Sequence, residues 1–320
     1  MAQDHVIPHS YLKSWCDPQN EPGRFNPYIW VISKDGKTKE RKPPKRWFTE
    51  ADRYSIRLSD GQQNRLADRT LKTTEDAYGR LRPKILNLEP LDRIERVDLI
   101  AFASAMLARP KARGDHFGRF FSGIHEVVVN LEKSRGATPL TSLETKRYAE
   151  NAPAATIAST MLVVPDLLSR MNMAIFVTDD ADGFITSDMP CVLFDPYAHR
   201  RPPFYRAPSL IDPNVEVSLP LTPQRMLFLS SAPIRGYVQA EPKTVDELNR
   251  RTRFGCSEYF VSRRGTVKVY WFDPGKEPED SWERSPEGIT AEKLRQRDLK
   301  ARAEWEAITK QRSDPESHAG

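Results

Sequence analysis

Gly183-Phe-Ile-Thr-Ser-Asp-Met-Pro-Cys-Val-Leu-Phe194 sets two short apolar runs on either side of Ser187, Asp188 and Pro190. The pattern predicts a strand that ends in an acid-bearing turn, since Asp and Pro suit turns and short apolar, β-branched runs suit strands. Met173 to Thr178 continues the strand pattern upstream. Downstream it recurs around Val192, Val215, Met226 to Ser230, Tyr259 to Ser262 and Val267 to Phe272. Between the later runs, Thr244-Val-Asp-Glu247 opens a predicted helix over 244–253.

The half of the chain before this region reads differently. From Gln62 to about Arg135 apolar residues recur at three- and four-residue spacing, and Pro83, Pro90 and Pro110 are expected to cut the pattern into separate helices. The segment from Leu91 to Arg109 has an acidic cap and turns almost wholly apolar from Leu99 to Ala108, which predicts a helix whose second half is buried and which Arg109 closes before Pro110. Thr141-Ser-Leu-Glu144 has the form of a capping box, and Thr156 to Met171 reads as another helix, bent or interrupted at Pro165. Nearer the N-terminus, Pro8 is expected to open a helix that puts Tyr11 and Trp15 on one face. Tyr28 to Ser33 and Tyr54 to Leu58 read as strands, the first followed by an Asp35-Gly36 turn. Lys39 to Arg46 is too charged and proline-rich for a strand interior and is expected to be a loop. The fold class that follows is α+β, a helical N-terminal half packed on a mainly antiparallel sheet from the C-terminal half. Residues 1–273 are expected to form a single domain and 274–320 a charged linker with a helical or disordered tail.

Composition narrows the function classes. The 320 residues are 38% hydrophobic and 29% charged, with a formal net charge of +5. This mild basic bias fits a nucleic acid or other phosphate-bearing partner without requiring one. Cys16, Cys191 and Cys256 lie too far apart in sequence for a Cys-x-x-Cys knuckle and favour a reducing, cytoplasmic setting. No run reaches the roughly 18 apolar residues of a membrane span. His5 lies before Pro8, outside the helix, so His5 and His9 lack the i, i+4 geometry of a helical metal pair. Neither a glycine-rich phosphate loop, a Gly-x-Ser-x-Gly elbow nor a His-Glu-x-x-His helix occurs.

His5-x-x-Pro8-x-x-Tyr11-Leu12 with Trp15, Arg109 at the end of an apolar helix, Phe184-Ile-Thr-Ser-Asp-Met-Pro190, Leu219-Pro-Leu-Thr-Pro223 and Asn249 together resemble the bacterial family known as domain of unknown function 4238. The resemblance spans about residues 4–272, with Trp15 where a phenylalanine is usual. It implies a shared fold and no established activity.

Function must then come from chemistry. If His5, Glu75, Arg109, Asp188 and Asn249 converge, they supply a group titrating near neutrality, carboxylates to orient it or to hold a divalent cation such as magnesium or manganese, a fixed cation and a positioning amide. That set suits a hydrolase, and in particular a nuclease, acting on a phosphodiester or other anionic ester. His5, Asp188 and Glu75 are the candidate catalytic residues, and Arg109, Asn249 and Ser187 the candidate substrate contacts. Each also has a structural reading: His5 bracing the chain start, Asp188 as an Asx-turn acceptor, Arg109 as an ion-pair partner or helix terminator, Glu75 as an early-helix acid and Asn249 as a cap. The alternative is a non-catalytic nucleic-acid- or protein-binding module that uses the basic stretch from Lys39 to Arg46 and the mixed-charge tail.

Overall fold

A computed structural model describes residues 3–17, 27–57, 63–135, 140–201 and 206–275. The chain divides into two compact units, one of Met1–Phe194 with Pro208–Asp273, the other of Asp195–Ala207 with Pro274–Gly320. In the second unit Ala198–Arg200 forms one 3-10 turn, and Asp195 pairs with Arg201 at 2.9 Å. Apart from residues 274 and 275, the expected charged tail lies outside the described residues.

In the first unit β1 (Gln3–His5) leads to the one-turn α1 (His9–Leu12), and Lys13–Trp15 continues as a 3-10 turn. Next come β2 (Ile29–Ser33), β3 (Lys39–Lys42), β4 (Thr49–Ala51), β5 (Ile56–Arg57) and β6 (Gln63–Asn64). Five helices follow: α2 (Leu66–Leu86), α3 (Arg93–Ala108), α4 (Lys111–Arg135), α5 (Leu140–Glu150) and α6 (Ala152–Ser169). The chain then runs through β7 (Asn172–Val177), β8 (Thr186–Ser187), β9 (Val192–Phe194), β10 (Glu216–Thr222), β11 (Arg225–Ser230), β12 (Gly236–Gln239), α7 (Pro242–Gly255) and β13 (Tyr259–Ser262).

The architecture is α+β. A five-stranded sheet has the order β12-β7-β11-β10-β9, antiparallel except for the parallel β12–β7 pair, and a four-stranded antiparallel sheet has the order β3-β2-β13-β8. β1 and β4 form a separate ribbon. Strands precede the helices and α7 lies among the later strands, so helix and sheet are not divided between the two halves of the chain.

The acidic cap of α3 is a full capping box between Asp92 and Glu95, and every residue from Leu99 to Ala108 except Ala101 is buried. Other expectations are corrected. Pro83 does not break α2; it stands in the last turns, where only one backbone hydrogen bond is forfeited before the helix ends at Leu86. Pro165 likewise stays inside α6. Thr141 lies within α5 rather than at its cap. Lys39–Lys42 is a strand after all, at a sheet edge where charge is tolerated. Lys39 lies over the Trp30 ring at 5.1 Å, and Arg41 over both Trp30 and Tyr28 at 4.8 Å. Val269–Phe272 is a 3-10 turn because Trp271 inserts into a small core with Ile32, Ile185 and Phe260. Among the described residues one helix, α6, is long and apolar enough to cross a membrane by length and composition, with 28% of it buried. Its apolar residues are interrupted by Ser159, Thr160 and Asp166, so it holds no unbroken run of about 18 apolar residues.

The two sheets are tied to the N-terminal turn. Tyr11 donates its hydroxyl proton to the Pro220 carbonyl at 2.7 Å and therefore accepts from the Thr186 hydroxyl, also at 2.7 Å. Trp15 Nε1 donates to the Phe184 carbonyl at 2.8 Å. Gly183 has φ +65, and a Cβ there would stand 2.0 Å from the Pro223 carbonyl oxygen, which accepts from Phe184 N at 2.7 Å. Only glycine allows that approach.

Tyr11→Phe keeps the ring and removes the bridging hydroxyl, so it is expected to destabilise the protein by about 1–3 kcal/mol. Urea unfolding measures this, and an unchanged midpoint would contradict it. In α7, burial pushes the Glu247 carboxyl up, but bonds from Arg250 and Arg251 outweigh it and bring its pKa down to about 2. A depressed carboxylate stabilises the fold above its unfolded value of 4.5 and loses that contribution as pH falls towards 2. Unfolding measured across this window should lose part of its pH dependence in Glu247→Gln; identical profiles would refute the linkage.

Candidate active site

The first candidate site forms where β1, α1, α2 and the end of α3 meet. Arg109, the residue after α3, is 3% exposed, a position that costs heavily unless its charge is paired. Its Nη1 donates to Glu75 Oε1 of α2 at 2.6 Å, and its Nη2 to the His5 backbone carbonyl at 2.7 Å. The buried guanidinium thus fixes a carboxylate and a histidine backbone in one place. Its Nε has no partner among the described residues.

Asp4, His5, His9, Glu75, Asp76 and Arg109 contribute to the wall of a cavity of about 630 Å³, with Lys72 and Arg80 also on its lining. His5 Nε2 lies 3.2 Å from the Lys45 carbonyl. A carbonyl only accepts, so the proton sits on Nε2 and Nδ1 carries the lone pair in the neutral ring. The His9 ring stacks beside it, with centroids 6.1 Å apart and planes at 23°. Burial, then the charges of Lys13, His5 and Lys45, lower the His9 pKa, so this ring is neutral at pH 7. Glu75 Oε2 carries no bond among the described residues and remains open to a ligand.

The structure therefore brings three of the sequence-predicted residues together, His5, Glu75 and Arg109, and places three elsewhere. Asn249 of α7 is fully buried: its Nδ2 donates to the Gly183 carbonyl and its Oδ1 accepts from Ile185 N, both at 2.9 Å. Ser187 is also fully buried, and its Oγ accepts from Met189 N at 3.1 Å. Asp188 accepts from the backbone N–H groups of Ser257, Glu258 and Tyr259 at 2.8, 2.6 and 3.1 Å. Burial pushes its carboxyl up against those three bonds. It lines a different cavity. Arg109 spends one N–H of each terminal nitrogen on Glu75 and on the His5 carbonyl, which makes it a positioning residue for both.

Sequence reasoning weighed His9 only as half of a metal pair. Its signal was its place directly after Pro8, where the chain turns into α1 beside β1. Among the described residues, no three His, Cys, Asp or Glu side chains are gathered to hold a metal ion. Burial pushes the Cys191 and Cys256 thiols up to about 12, so neither is a ready nucleophile.

No curated protein and no solved structure matches the chain. A family model described as a protein of unknown function matches residues 3–266, which takes in the N-terminal turn, Arg109, the Ser187-Asp188 turn and Asn249. On that coverage the chain belongs to the domain of unknown function 4238 family.

Proposed function

We propose that the cavity holding His5, His9 and Glu75 is the reaction centre of a hydrolase that cleaves a phosphodiester or a related anionic ester by proton transfer between imidazoles. The observation that carries this reading is the stacked pair of histidines beside a carboxylate held by the buried Arg109. Two imidazoles in different environments can divide the roles of base and acid. His9, neutral at pH 7, takes a proton from the attacking water as its oxygen bonds to phosphorus. His5 Nδ1, the ring nitrogen left open by the Lys45 contact, delivers a proton to the leaving oxygen as the P–O bond breaks. One water is consumed, and proton exchange with solvent resets both rings. Lys72, on the cavity wall and without an ion-pair partner among the described residues, offsets charge on the phosphoryl oxygens. Glu75 Oε2 accepts from a substrate hydroxyl.

Labelled RNA and DNA, incubated with the full chain in EDTA and in magnesium, test this reading. Cleavage is expected in both buffers, and His9→Ala should lower kcat by about 100-fold or more. Because the base must be unprotonated, kcat/KM should rise with pH through a midpoint below the ordinary imidazole value of 6.5. Failure to cleave either polymer, or a His9→Ala protein as active as the parent, would overturn the reading.

A further inference from the structure

A second cavity, of about 460 Å³, falls within the range of roughly 300–1,000 Å³ typical of small-molecule sites. The β1–β4 region serves both cavities: Asp4 and His5 line the first, and Val6, Thr49 and Glu50 line the second. Its aromatic corner is Trp47, Phe48 and Tyr259, with Trp47 centred 5.8 Å from each of the other two rings. Phe48 has φ 55, a left-handed conformation that a bulky side chain rarely adopts, and its carbonyl is held by Val6 N at 2.7 Å. The Trp47 indole N–H is buried and has no acceptor among the described residues. Lys42 lies over the Trp47 ring at 4.9 Å.

The charges in this cavity sort into spent and unspent. Lys111 ties up Asp115 at 2.6 Å and approaches Glu50 at 3.9 Å, while three backbone N–H groups hold Asp188. Arg46 and Arg119 line the cavity, exposed and with no side-chain partner among the described residues. The Glu258 carboxylate is likewise free of hydrogen bonds and ion pairs there. Lys111 and Ala112 begin the 25-residue α4, so the unpaired N–H groups of a long helix also face this end. A ligand that uses all of this combines a flat ring bearing N–H donors with an anionic group.

We propose that the second cavity binds a nucleoside monophosphate. Its base packs into the Trp47, Phe48 and Tyr259 corner with an N–H edge on Glu258, and its phosphate is held by Arg46, Arg119 and the start of α4. Guanine, with two adjacent N–H donors, is the base that best matches a free carboxylate. The assignment stands on binding alone and does not depend on hydrolysis at the first cavity.

Isothermal titration of the full chain at low salt with GMP, guanosine and inorganic phosphate provides the test. GMP should bind at submillimolar concentration, at least tenfold more tightly than phosphate or guanosine. Arg46→Gln/Arg119→Gln alters two exposed side chains, should melt like the parent, and should weaken GMP by more than tenfold while leaving guanosine unchanged. Trp47→Ala should weaken GMP and guanosine alike. No heat from GMP at millimolar concentration, phosphate binding as tightly as GMP, or a double variant that binds like the parent would each overturn the proposal.

Discussion

The hydroxyl of Tyr11 is the point on which the first unit hangs. It joins the N-terminal turn to β10 through the Pro220 carbonyl and to β8 through Thr186, so one oxygen spans both large sheets. Trp15 adds the Phe184 carbonyl, and Asn249 grips the same segment at Gly183 and Ile185. The residues that carry the family resemblance are thus one another's partners. Their shared task is to satisfy backbone groups buried where two sheets and a helix converge, a place where an unmet carbonyl or N–H is costly.

This bracing fixes the floor of the first cavity. His9 sits two residues before Tyr11, so the anchored turn sets the His9 ring, while Arg109 fixes the backbone of His5 from the other side. A guanidinium 3% exposed tolerates little displacement, because moving either partner leaves a buried charge unmet. The buried Arg109 and the exposed Lys72 and Arg80 of α2 thus line the same cavity.

Features governed by neighbours in sequence were legible. The capping box of α3, its buried second half and the hairpin turn at Asp35-Gly36 each follow from local propensities. What escaped was decided by tertiary packing. Trp271 turned an apparent strand into a 3-10 turn by filling a core, and the aromatic faces of Trp30 and Tyr28 accommodate the charged β3. β12 was missed because Tyr237 and Val238 give too short an alternation to stand out, and its partner β7 lies some sixty residues earlier. In the candidate site, residue type suggested His5, Glu75 and Arg109, but spacing could not separate them from Asp188, Ser187 and Asn249. That separation rests on which polar groups the backbone has already claimed.

The pairing of β2 with β13, Ser33 opposite Tyr259 and Trp30 opposite Ser262, joins segments from near the two ends of the described chain. On the ribosome β2 is made early and can pair at once only with β3, whose row of charged residues guards the outer edge. The inner edge of β2, with the buried Ile29, Val31 and Ile32, stays open until almost all of the family domain has emerged. Such long-range closure slows folding and leaves a sticky strand uncovered during synthesis. For this molecule, that edge waits for its partner at least as long as it takes to translate the chain from Ser33 to Tyr259.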